Sequence, residues 1–158
     1  MTFDGEFFQV KDLVPAAAPT PPIWTGSIGP RSLAVTGQLA DGWIPTRASD
    51  WLSRVYAESR PLIDEAAAAA GRDPSAVGTV YNARGRITDS PTPSFRDDEG
   101  KWVGGSVQQW VDELTSAVLE HGAAGFIHFP ADHSEADTAL ARWAREVVPA
   151  VRAAVTTA

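Results

Sequence analysis

Residues 24–45 read WTGSIGPRSLAVTGQLADGWIP, and this stretch decides the fold. An apolar strand over 22–25 ends at a glycine. A helix follows over 31–40, because Pro30 suits the first helical position, which needs no backbone N–H. The Asp-Gly pair after that helix breaks it, and a second short strand covers 43–44. The stretch therefore predicts a strand–helix–strand unit.

The same alternation continues to the end of the chain. The further predicted elements are a helix at about 51–70, a strand at 79–87, a helix between Ser106 and Gly122, a strand at 125–129 and a last helix from about 135. Pro61 is expected to interrupt the first of these helices, and Pro149 to kink or end the last. Four strand–helix units in succession indicate an α/β fold with a parallel sheet and helical crossovers.

Two segments fall outside this alternation. Residues 1–22 contain four prolines and are predicted to form an extended N-terminal arm. Residues 88–105 combine glycines, prolines and charges, which is typical of a long mobile loop, and Trp102 within it is a candidate lid or interface residue. The expected organisation is therefore an arm at 1–22 and a (βα)4 unit at 23–158.

The composition restricts the classes of function. The 158 residues carry 13 basic and 20 acidic side chains, a net charge of −7, and the basic ones are scattered, so nucleic acid is not an expected partner. There is no cysteine, and the histidines have no third ligand nearby in the sequence, so no metal site is predicted. No apolar run approaches the roughly 18 residues of a membrane span, and no signal peptide is visible, so a cytoplasmic protein is expected.

The segments at 24–33 and 39–45 together resemble the luciferase-like monooxygenase superfamily of F420- and FMN-dependent oxidoreductases. The pairing of Gly-Pro-Arg with Ala-Asp-Gly-Trp carries most of the likeness, and the stretches at 63–74, 125–127 and 146–152 are similar too. The resemblance implies a TIM-type (β/α)8 barrel, in which these four strands are similar to the fifth to the eighth. It implies F420 as the cofactor, with FMN as the alternative.

The resemblance also limits what is expected of catalysis. In that family the catalytic acid/base residues lie largely in the first half of the barrel, so no catalytic residue is assigned here. The chain is expected to be the C-terminal half of an F420- or FMN-dependent oxidoreductase, and whether it is an enzyme by itself stays open. The alternatives are a non-catalytic cofactor-binding or oligomerisation module, and a remnant that only associates with full-length relatives.

The loop formed by Gly26, Ser27, Ile28 and Gly29, followed by Arg31, is the candidate cofactor site. It precedes a helix, so free backbone N–H groups and the positive end of the helix dipole face a nearby anion. In a βα barrel such a loop lies at the face where active sites form. In the family the matching loop contacts the cofactor. The alternative is an ordinary tight turn between a strand and a helix.

Further candidates lie after the second strand and along the third. Thr46 and Arg47 follow the second strand, where the loop of relatives approaches the small-molecule substrate; the alternative for Arg47 is an exposed loop arginine. Asn82 and Arg84 lie on the strand face opposite Tyr81. If that face points into the barrel, they form a polar layer near the cofactor; otherwise they mark a frayed strand end in water.

Several aromatic residues have two interpretations. His128 either lines the barrel mouth or is a structural histidine on its strand. Trp24 and Trp43 are candidates for the walls of a flavin-like pocket, whereas Trp110 and Trp143 fit the packing of helices on the sheet.

Half a barrel leaves two sheet edges and an apolar concave face exposed, and such edges pair readily with another chain. Two ways of completing the barrel are expected. The chain forms a homodimer, or it pairs with a complementary N-terminal half-barrel.

Overall fold

The computed structural model describes residues 1–14, 17–45 and 50–157. Within these residues seven strands and five α-helices follow one another along the chain. The strands are β1 (Phe3–Asp4), β2 (Gln9–Val10), β3 (Trp24–Thr25), β4 (Gly42–Trp43), β5 (Gly78–Thr88), β6 (Gly104–Ser106) and β7 (Ala123–Pro130). The helices are α1 (Pro30–Leu39), α2 (Arg54–Ala69), α3 (Val107–Leu119), α4 (Ala136–Arg142) and α5 (Val148–Thr157), and a π-helical segment (Trp143–Val147) joins the last two.

Four parallel strands form the main sheet in chain order, β3, β4, β5 and β7. β5 is its longest member, pairing with β4 at its start and with β7 along most of its length. β6 adds a short parallel pairing at the carboxyl end of β5. Within the described residues β3 and β7 do not pair with each other, so the sheet stays open. The fold is the predicted parallel (βα)4 half of a TIM-type barrel.

The helices cover one face of this sheet. Along β5 the side chains alternate, and Tyr81 and Ala83 are buried on the covered face. Tyr81 belongs to a core cluster that includes Trp110 of α3, which is fully buried. A second cluster places Leu33 of α1 against Ile63 of α2. These two apolar clusters hold the helices on the sheet.

The other face of the sheet is uncovered. Arg84 and Arg86 of β5 are exposed there, and Asn82 is half-buried. On the neighbouring β7, Ile127 and Phe129 are 41% and 48% exposed. In a closed barrel this face is the interior, because helices surround the outside of the sheet.

Neither Pro61 nor Pro149 ends its helix, and a kink at Pro149 stays a prediction. Pro61 lies inside α2, which continues without a break. Burial of Ile63 and Ala67 against α1 sustains that helix despite the hydrogen bond that proline cannot donate. Pro149 does not end the last helix either, since a π-helical segment precedes it and α5 runs on to Thr157. A π-bulge rearranges the hydrogen bonds of the turn that proline would otherwise disrupt.

The first residues form a small antiparallel hairpin of β1 and β2, within the segment that the sequence predicts to be an extended arm. The amide of Gly5 donates to the Phe8 carbonyl at 3.0 Å and closes its turn. The apolar side chains of Phe7 and Phe8 are 82% and 77% exposed. This hairpin contributes nothing to either core cluster.

Residues 88–105 fold back on the core through Trp102, which is only 7% exposed and packs edge-on against Trp110 at 4.9 Å between ring centroids. Burial of Trp102 in the core cluster argues against its interpretation as a lid or interface residue. Its indole is large enough that burying it against a second tryptophan outweighs the polar character of the loop around it. Mobility of the remaining loop stays a prediction.

Candidate functional site

The loop between β3 and α1 lies at the carboxyl end of the parallel sheet. Gly26, Ile28 and Arg31 are exposed, whereas Ser27 and Gly29 are half-buried. A Cβ atom added at Gly26 would meet no heavy atom within 4 Å. The backbone of this loop is therefore open to a ligand on its outer side.

Thr36, buried in α1, holds the loop from behind. Its hydroxyl donates to the Ser32 carbonyl at 2.9 Å, which leaves its oxygen free to accept. The hydroxyls of Thr25 and Ser27 both lie 2.8 Å from that oxygen and therefore donate to it. One helical side chain thus fixes the end of β3 and the first turn of the loop together.

Trp43 of β4 holds the same loop by a hydrogen bond to a backbone carbonyl of that loop. Its indole Nε1 donates to the Ser27 carbonyl at 3.0 Å. Trp43 is 1% exposed and stacks on Tyr56 of α2, with ring centroids 6.1 Å apart. It is a core residue that supports the loop, so the idea that it forms a pocket wall is wrong.

Trp24 lies on the uncovered face, 41% exposed, as a pocket-wall residue would. Its ring covers Gly42, where an added Cβ would come within 2.2 Å of Trp24 Cε3. The glycine of the Ala-Asp-Gly-Trp motif is therefore required by the close approach of the Trp24 indole.

The N-terminus of α1 faces the loop. Gly29 is its N-cap, and the Ser32 hydroxyl both donates to the Gly29 carbonyl at 2.9 Å and accepts from its amide at 3.2 Å. The amides of Arg31 and Ser32 have no carbonyl to reach within the helix, because they belong to its first turn. Together with the helix dipole they favour an anion at this point.

Arg31 is exposed, and the ion pairs between described residues do not include it. It is available for a ligand at the start of α1. Thr46 and Arg47, the predicted substrate-facing residues, lie outside the described residues.

Asn82 and Arg84 lie, as expected, on the face of β5 opposite Tyr81, and that face is the uncovered one. Sequence reasoning missed Arg86, although it continues the same two-residue alternation. Thr36 was also missed, since nothing in the sequence marks a helical threonine as an anchor for a loop nine residues earlier.

His128 is a structural residue and does not line the barrel mouth. It is 8% exposed on the covered face, and its Nδ1 lies 3.0 Å from the Ala83 carbonyl. Its ring stacks on Trp143 at 4.5 Å and meets Trp110 edge-on, as expected for helix-to-sheet packing. Burial lowers the pKa of His128, because the charged imidazolium would lose its hydration.

No described helix is long and apolar enough to cross a bilayer.

The comparisons with known proteins agree with the fold. The family model described as luciferase-like monooxygenase matches residues 1–93. A solved long-chain alkane monooxygenase superposes with a TM-score of 0.69 at 15% identity, covering 96% of this chain and 46% of that one. At that identity the likeness shows the fold alone.

Two mycobacterial proteins are similar in sequence. The phthiodiolone/phenolphthiodiolone dimycocerosates ketoreductase of Mycobacterium tuberculosis is 41% identical over 80 residues, which cover 49% of this chain and 19% of that protein. The F420-dependent hydroxymycolic acid dehydrogenase of the same species is 26% identical over 185 aligned positions, covering 96% of this chain and 49% of that protein. The chain thus spans about half the length of the dehydrogenase. Because the family model covers more than half of its residues, the chain belongs to the luciferase-like monooxygenase family.

Proposed function

We propose that the chain is the cofactor-binding half of an F420-dependent oxidoreductase, and that the loop at 26–31 contacts the cofactor. The observation that carries this proposal is the construction of the loop. Its outer side is open at Gly26, while Thr36 and Trp43 hold it from behind. A fixed backbone in front of the first turn of a helix suits an anionic group of a cofactor.

F420 is the preferred cofactor because the dehydrogenase that matches almost the whole chain is F420-dependent by name. FMN is the alternative within the same family. The cofactor supplies the redox chemistry when bound, and the protein orients it and excludes water. The residues present fit such a group, since the loop with an open backbone at Gly26 leads into the helix whose first-turn amides are free.

The barrel interior would be completed by a second half. On the uncovered face, Trp24, Ile127 and Phe129 are between 41% and 48% exposed, an apolar surface that association would bury. β3 and β7 are the outer strands of the main sheet and present edges for pairing. A homodimer and a complementary N-terminal half-barrel both satisfy this requirement, and light scattering of the purified chain distinguishes a dimer from a monomer awaiting its partner.

The cofactor proposal is tested by titrating the chain separately with F420 and FMN and following ligand fluorescence. Saturable micromolar binding of F420 is the expected result. Gly26→Val should weaken binding at least tenfold without loss of folding, because the added atoms occupy only the open side of the loop. Ala153→Val adds two methyl carbons at an exposed position of α5 and should leave cofactor binding unchanged. Absence of binding of either cofactor contradicts the proposal.

A further inference from the structure

Two arginines project from the uncovered face near the carboxyl end of β5. Arg84 and Arg86 are both exposed and are two residues apart, so their side chains leave the strand on the same side. They lie beyond Asn82 in the direction of the strand end. In a βα barrel, inward-pointing residues at this end of a strand line the active-site mouth.

Neither arginine is neutralised within the described part of the chain. Five of the eight other described arginines have partners: Arg54, Arg60, Arg96 and Arg142 form ion pairs, and Arg72 donates to the carbonyls of Gly37 and Ala40. Arg84 and Arg86 appear in no ion pair between described residues, although the chain carries seven more acidic than basic side chains. Two adjacent positive charges left free in an acidic protein indicate an external anion.

The surface beside Arg84 is apolar on the β7 side, whereas Arg86 borders a cavity that Asp89, Asp132 and Glu135 also line. In the register of β5 with β7, Arg84 pairs with Phe129 and Asn82 pairs with Ile127. Paired residues of neighbouring strands project from the same face, about 5 Å apart. Because Phe129 and Ile127 are about half exposed, a ligand whose charged end meets Arg84 has an apolar wall beside it.

We propose that Arg84 and Arg86 bind the carboxylate of an amphipathic acid substrate, whose hydrocarbon body lies on Ile127 and Phe129. Guanidinium groups bind carboxylates through paired, charge-assisted hydrogen bonds, which a neutral head group does not match. The assignment rests on the proposed function only in naming this ligand the substrate. The cofactor loop follows β3, which is separated from β5 by β4, so the two anions would occupy different places at one end of the sheet.

The test is isothermal titration calorimetry of the chain with decanoate, below its micellar concentration, and with decan-1-ol. Decanoate should bind at least tenfold more tightly than the alcohol. The double variant Arg84→Gln/Arg86→Gln should abolish that preference and leave the binding of decan-1-ol unchanged. Arg84→Lys/Arg86→Lys keeps the charges and should retain part of the preference, which separates loss of recognition from loss of folding.

A matched control removes two positive charges elsewhere. Arg54→Gln/Arg145→Gln changes exposed helical positions and should leave the binding of decanoate intact. If decanoate binding survives Arg84→Gln/Arg86→Gln, the ligand occupies another site and the proposal is overturned. The apolar cavity of about 600 Å³ between α3, β7 and α5, which Arg152 borders, would then be the place to look.

Titrations with FMN and riboflavin show whether the arginine pair binds a substrate carboxylate or the phosphate of a cofactor. The two ligands differ only in that phosphate. Under the proposal, Arg84→Gln/Arg86→Gln leaves the preference for FMN over riboflavin unchanged. If the variant removes that preference and spares decanoate, the pair binds the cofactor's phosphate and the substrate assignment is overturned. Decanoate binding is measured without cofactor. The result therefore tests the role of the two arginines even if the cofactor titration shows no binding.

Discussion

Arg96 Nη1 lies 2.9 Å from Asp50 Oδ2, and this ion pair joins two segments that are 46 residues apart in the chain. The second guanidinium nitrogen donates to Glu113 of α3. Asp50 also accepts from the Trp102 amide at 3.3 Å. Because the side chains of Arg96 and Asp50 are only 18% and 9% exposed, the charges that join Arg96 to the segment after β4 are largely shielded from water.

Replacement of Arg96 should therefore be costly. Arg96→Ala leaves two largely buried carboxylates without a counter-charge, and it should lower the free energy of unfolding by about 3–5 kcal/mol. Urea denaturation followed by circular dichroism measures the change. Arg54→Ala removes an exposed pair with Glu58 and should cost less than about 1 kcal/mol. Equal losses in the two variants would show that burial does not govern the Arg96 pair.

Thr36 is the residue through which folding and the candidate site are coupled. Thr36→Val keeps the shape of the side chain but removes the oxygen to which Thr25 and Ser27 donate. We expect a loss of about 1–3 kcal/mol in the free energy of unfolding, because half-buried donors lose their acceptor. The affinity for F420 should also fall, since the loop is no longer held.

The control for this variant is Thr156→Val. Thr156 is exposed on α5 and donates to the Arg152 carbonyl of its own helix. Thr156→Val should leave the free energy of unfolding and the affinity for F420 close to those of the unchanged chain. If Thr36→Val binds F420 as tightly as the parent, a fixed loop is not needed for cofactor contact. Stability and affinity are measured separately, by urea denaturation and ligand fluorescence.

The sequence predicted the parts of the fold that are encoded locally. The strand at 79–87 and the helix starting at Ser106 were found within one or two residues, because a run of β-formers and a capping box are short-range signals. The continuity of α2 through Pro61 was not predicted, since it depends on burial against α1. The buried position of Trp102 depends equally on contacts that are distant in sequence.

In the candidate site, too, the features encoded locally were predicted and those that depend on tertiary contacts were not. The open loop around Gly26 was predicted because glycine spacing before a helix is visible in the sequence. The residues that hold this loop were not predicted, because Thr36 and Trp43 reach Ser27 only once the helix and the sheet have packed. The orientation of Arg84 followed from alternation along the strand, but only the structure shows that its face is uncovered.

The crossing of α1 and α2 requires the glycine at position 37. A Cβ added there would lie 2.2 Å from the Ile63 carbonyl oxygen and 2.9 Å from the Ala67 amide nitrogen. Backbone atoms on both sides leave no flexible group to yield. Gly37→Ala should therefore lower the free energy of unfolding by about 1–3 kcal/mol, despite the better helix propensity of alanine.

The matched variant is Gly26→Ala, which meets nothing within 4 Å and should leave the unfolding midpoint unchanged. Thermal denaturation of the two variants side by side makes the comparison. An unchanged midpoint for Gly37→Ala would mean that the two helices can move apart at little cost, which contradicts the close contact described here.

The stability of the fold should depend on pH through His128. Its pKa in the folded chain lies below the ordinary value of about 6.5, because burial against Trp110 and Trp143 penalises the charged ring. Below about pH 6.5 the unfolded chain therefore binds a proton that the folded chain does not. Protonation then favours the unfolded state, so stability is fully present above this pH and is lost as the pH falls.

One titrating histidine contributes at most about 1.4 kcal/mol per pH unit. The free energy of unfolding, measured in urea between pH 7.5 and pH 5.5, should therefore decrease. His128→Gln lowers stability at every pH, since the stacked ring is lost, but it should flatten this slope. An equally steep slope in His128→Gln would assign the dependence to other groups and contradict the role given to the buried ring.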